Sequence, residues 1–161
     1  MAIGSFDIRH LVRSEIGIER DIDGDNFDEY CIRVKNDEDD WVYIPMYLPG
    51  ECRTGELPNL PLIEMTLVTC PSRIAGIEHT LHNECYFDFN IYYANTDDVS
   101  ATTFGTQVAN SLCSYIYDNY TSIPTSYYVE VINSSLEGFE QSGKQVVFHR
   151  VVQCYSMNYD R

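Results

Sequence analysis

Residues 85–94, CYFDFNIYYA, and the stretch 97–119, DDVSATTFGTQVANSLCSYIYDN, decide the fold. In the first, Phe87, Phe89, Ile91 and Tyr93 alternate with Tyr86, Asp88, Asn90 and Tyr92. Side chains of a strand point to opposite faces in turn, so one face is wholly apolar and faces a core. In the second, Phe104, Val108, Leu112 and Ile116 recur every fourth residue, with Ala101, Ala109 and Cys113 beside them. That spacing predicts one long helix over about 97–119, capped by Asp97 or Ser100 and laid across a sheet.

Working outward, the same reading extends to both ends. Asp7–Ile16 predicts a short helix with Ile8, Leu11 and Val12 on one face and Ser5 as cap. Tyr30–Lys35 alternates as a strand. Trp41–Leu48, WVYIPMYL, is β-rich, but Pro45 marks it as an edge strand or a bulge. Leu62–Cys70 is a strand stopped by Pro71, and 71–84 reads as irregular with one helical turn. Tyr127–Ile132 and Gln145–Met157 are two closing strands. The fold class is α+β: a mainly antiparallel or mixed sheet, with the long helix and the short N-terminal helix on one face. Residues 1–161 form a single domain, with an acidic loop insertion around 19–40 and a long polar hairpin loop around 133–144.

Composition excludes several functions. With 10 Lys+Arg against 25 Asp+Glu the net charge is -15. Such a field repels nucleic acid and anionic membrane surfaces. No apolar run reaches the ~20 residues of a membrane helix. The opening MAIGSFDIRHLVRSE has no basic start followed by an apolar stretch, so no signal peptide is expected. The 6 cysteines contain no Cys-x-x-Cys pair, and free buried thiols are expected.

Catalytic and metal motifs are weak. Asp21, Asp23 and Asp25 have the spacing of the first EF-hand ligands, but Asn26 and Ile32 stand where Gly and a bidentate Glu are needed. His79, His82 and Glu84 are zinc-ligand types in one segment, without evidence of convergence. There is no Gly-x-Ser-x-Gly elbow and no glycine-rich phosphate loop. No cofactor and no catalytic residue is therefore expected. The 13 tyrosines exceed what one small core holds, and Tyr is enriched at protein interfaces. Some of Tyr43, Tyr47, Tyr92, Tyr93, Tyr115, Tyr117, Tyr120, Tyr127 and Tyr128 therefore belong on an assembly surface.

Three stretches carry a family likeness. They are FDIRHLVRSEI (6–16), LPLIEMTLVTCPSR (60–73) leading through a loop to ECYFDFNIYYANTDDVSATTFGTQVANSLCSYIYDNY (84–120), and YYVEVIN (127–133) with KQVVFHRVVQCYSM (144–157). In order they resemble the opening helix, the strand–loop–strand–long-helix core and the final strand pair of tail terminator proteins of tailed bacteriophages. The acidic stretch Glu19–Asp40 departs from that family's minimal pattern. The resemblance implies a non-enzymatic virion protein, a hexameric ring that caps the tail tube and joins it to the head connector. Its partners would be further copies of itself, the tail tube protein and the head connector or stopper protein. Double-stranded DNA would pass through the lumen without specific binding, with no membrane involved. It would be assembled in the host cytoplasm and found in the virion neck. Carboxylates such as Asp37, Glu38, Asp39 and Asp40 would suit a lumen that repels phosphates. Trp41, Tyr43, Met46 and Tyr47 on one segment, and Leu136 and Phe139 on the other, are the candidate contacts of the ring. Two other readings stay open: a small metal-dependent enzyme using His79, His82 and Glu84, and a non-viral acidic binding or adaptor domain.

Overall fold

The computed structural model describes residues 8–22, 24, 26–36, 38–51, 60–69, 72–75, 80–94, 101–119, 127–142 and 145–160. In chain order the elements are α1 (Ile8–Ile16), β1 (Ile18–Arg20), β2 (Glu29–Lys35), β3 (Trp41–Tyr47), β4 (Leu62–Thr69), β5 (Ser72–Ala75), β6 (Thr80–Ala94), α2 (Ala101–Asp118), β7 (Tyr127–Ser142) and β8 (Gln145–Asp160). The strands form one mixed sheet in the order β1-β2-β3-β4-β6-β8-β7, with β5 paired to β6 off that path. Only β3 and β4 run parallel among the paired strands; the other pairs are antiparallel.

The alternation of the central strand is realised as read from sequence. Phe87, Phe89, Ile91 and Tyr93 of β6 are buried, and they meet Val108, Ala109, Leu112 and Ile116 of α2 in one core. Both predicted helices are present; the caps proposed for them, Ser5, Asp97 and Ser100, lie outside the described residues. α1 buries Ile8, Val12, Arg13 and Ile16, one face at helical spacing. It stops at Gly17, whose N–H donates to Arg13 O at 2.9 Å. A side chain at Gly17 would meet that same carbonyl and the end of Met46, so glycine is what lets α1 turn into β1 without spreading the core.

Four expectations are corrected. Trp41–Leu48 is not an edge strand: β3 lies between β2 and β4. Its residues 41–45 pair with β2 and its residues 46–47 with β4, so Pro45 sits where the strand changes partner and the missing N–H interrupts no long ladder. The region 71–84 is not irregular throughout: β5 pairs with β6, whose start at Thr80 also lies against the end of β8. The stretch 133–144 is not a hairpin loop, because β7 runs on to Ser142 in register with Gln145. Its polar sequence hides the strand because β7 is here the edge strand beside β8 and β6, and Ser135–Phe139 are all exposed, so no apolar face alternates. The ladder shifts register between Val131 and Leu136, where Asn133 Oδ1 accepts from the N–H and the hydroxyl of Ser135, both at 2.9 Å. Finally, not all thiols are free. Cys31, Cys113 and Cys154 are, but Cys85 is disulfide-bonded, its partner lying outside the described residues.

Candidate interaction surface

Three surfaces follow from this architecture. The first is the β7–β8 hairpin at one edge of the sheet. Among the described strands β7 pairs with β8 alone, which puts it at an edge of the sheet. Along the hairpin Ile132, Leu136, Phe139 and Val146 are exposed, Phe139 to 72%. The hairpin is held to the body by Arg150, nearly buried, which donates to Ser134 O at 2.9 Å, to the Thr106 hydroxyl of α2 at 3.1 Å and to Glu137. A buried guanidinium with several acceptors is a rigid anchor, so the exposed apolar residues are presented on a fixed element.

The second surface lies on the outer side of β1–β3. Arg33 stands over the Trp41 ring at 4.4 Å and Lys35 over the same ring at 5.1 Å. Arg20 stands over Tyr43 at 3.9 Å. The register explains the pairs: Arg33 is opposite Tyr43 and Lys35 opposite Trp41, so cations and rings share one face. Trp41 is 44% exposed and Ile18 equally so.

The third is an open groove of ≈ 620 Å³ between the last turns of α2 and the edge strand β7. It is lined by Val131 and by the edges of the core residues Ile116 and Val129, both almost wholly buried, with Tyr117, Asp118 and Glu130 at its sides. Cys113 also lines it, and burial pushes that thiol's pKa up against the opposing pull of a Ser134 hydrogen bond and the Arg150 charge.

The sheet face turned away from α2 carries a polar and aromatic network. Asn90 donates to Glu64 O at 3.2 Å and to the Thr66 hydroxyl, and its Oδ1 lies 3.1 Å from His149 Nε2. The His149 ring stacks on Tyr92, 4° from parallel. Asp88 is on the same face, and burial raises its carboxyl pKa despite the nearby His149 charge.

The residues proposed from sequence scatter across these surfaces. Trp41 is exposed and Tyr43 and Tyr47 are half-buried, but Met46 is 1% exposed and belongs to the core. It cannot serve as a surface contact, because β3 is an interior strand and Met46 points toward α1 and α2 with Ile44. Leu136 and Phe139 are exposed on the hairpin. Glu38, Asp39 and Asp40 are exposed in the β2–β3 turn, where Asp39 pairs with Lys35 at 2.6 Å; Asp37 lies outside the described residues. Of the tyrosines, Tyr93 is core, Tyr117 is 83% exposed, and Tyr115 donates to Arg33 O at 2.6 Å, tying α2 to β2. The groove and the cation–aromatic pairs were not read from sequence. Their signal was the run of Arg20, Arg33 and Lys35 near Trp41 and Tyr43, which means little until β2 and β3 are paired.

The chain matches no protein-family model and no curated protein sequence.

Among the described residues there is no group of three or more His, Cys, Asp or Glu side chains that could hold an ion. His79 lies outside them; His82 and Glu84 are two apart on β6. Asp21 uses its carboxylate locally, accepting from Gly24 N at 2.9 Å and Asn26 N at 3.1 Å, while Asp23 and Asp25 lie outside the described residues. Among the described residues no helix is long and apolar enough to cross a membrane.

Proposed function

We propose that the chain is a structural subunit of a tailed-phage neck, a tail terminator that caps the tail tube as a ring and joins it to the head connector. The observation that supports this best is the long, anchored β7–β8 hairpin with Leu136 and Phe139 exposed. Exposed apolar side chains on a rigid element favour a partner, since their transfer from water is what association gains. A ring needs a heterologous contact that closes on itself, and two unlike surfaces on one subunit meet that requirement. The net charge of -15 fits a lumen through which DNA slides without sticking.

The direct test is location. Antibody labelling and mass spectrometry of purified particles should find the protein at the head–tail junction, and loss of its gene should give tails of uncontrolled length and unjoined heads. The DNA flanking the gene should carry small connector-like frames on one side and a long tail-tube or sheath frame on the other. Particles that lack the protein would overturn the proposal, as would a metabolic or signalling operon around the gene.

A further inference from the structure

We draw no further inference here: the strongest candidate, the polar and aromatic patch of Asp88, Asn90, Tyr92 and His149 on the sheet face turned away from α2, carries none because the Asn90 amide is already spent on Glu64, Thr66 and His149 within the patch and nothing in the structure shows what covers that face.

Discussion

Tyr93 lays its ring on the backbone of Gly105, so that α2 meets the central strand without a side chain between them. A methyl group at Gly105 would fall 2.5 Å from Tyr93 Cζ and 2.9 Å from Cε1, with the hydroxyl oxygen closer still. The Tyr93 ring is fixed from other sides by Phe104 and Phe148, with centroids 6.0 and 5.8 Å away, so it has little room to retreat. Burial raises the pKa of its hydroxyl, helped by the Glu137 charge and opposed by Arg150.

Gly105→Ala is therefore expected to destabilise despite replacing a poor helix former. The propensity gain is about 1 kcal/mol, and the forced displacement of a packed ring costs about 2–3 kcal/mol. The net loss should be read by urea denaturation as a lower midpoint with an unchanged slope. In a Tyr93→Ala background the sign should reverse, because the alanine then meets open space and only the propensity gain is left. Equal effects in both backgrounds would mean that the ring is not what glycine accommodates.

Acid sensitivity should follow the pair that ties α1 to the turn after β3. Arg13, nearly buried, donates to Glu51 Oε2 at 2.6 Å and to Met46 O at 3.3 Å. Burial pushes the Glu51 carboxyl up, but the Arg13 hydrogen bond, the Leu48 N–H and the Arg13 charge outweigh it, and its pKa is lowered overall. A lowered folded pKa gives stability that is present above the unfolded value and is lost as pH falls through the folded one. The window thus lies below about pH 4.3, the unfolded value of a Glu. Glu51→Gln should cost about 1 kcal/mol at neutral pH, a figure kept small because the carboxylate is partly exposed, and should flatten the acid limb of the melting profile. A variant with an unaltered acid limb would assign that limb to other carboxylates.

Asp88 has the opposite sign. Its raised pKa means that the folded state takes up a proton more readily than the unfolded chain. That contribution is fully present below the unfolded value and is lost as pH rises through the folded one. Asp88→Asn should therefore raise the melting temperature at neutral pH and make no difference near pH 3. Melting curves of the two proteins across this range would cross-check it; a variant that is less stable at neutral pH would show that the carboxylate is needed by the network around His149.

The alternation in 85–94 and the four-residue period in 104–116 made the central strand, the long helix and the apolar core between them legible, because each pattern is local and each has a single period. What stayed hidden depends on partners distant in sequence. Pro45 marked an edge by itself, yet β3 changes partner there, which only the β2 and β4 registers disclose. The strand 133–142 looked like a loop because 135–139 are exposed on both sides of an edge strand and leave no apolar face to alternate. Trp41 and Met46, five residues apart, looked like members of one surface, whereas one lies over Arg33 outside the sheet and the other is sealed in the core. The groove is assembled from α2 and β7 and has no sequence period at all.

The contrast between Phe139 and Met46 separates assembly from folding. Phe139 is exposed, in tilted contact with Phe148 at 6.5 Å, so Phe139→Asp should change stability by no more than about 1 kcal/mol. Met46→Asp places a carboxylate in the buried apolar core, and should leave too little folded protein to assay. If the proposed neck role holds, a phage carrying Phe139→Asp together with Leu136→Asp should accumulate soluble folded protein at wild-type levels while heads and tails fail to join. Electron microscopy of the lysate counts joined particles, and circular dichroism of the purified variant supplies the folding control. Normal joining with this pair of substitutions would show that the exposed apolar edge of the hairpin is not the assembly contact, and attention would move to the groove and the face of Trp41.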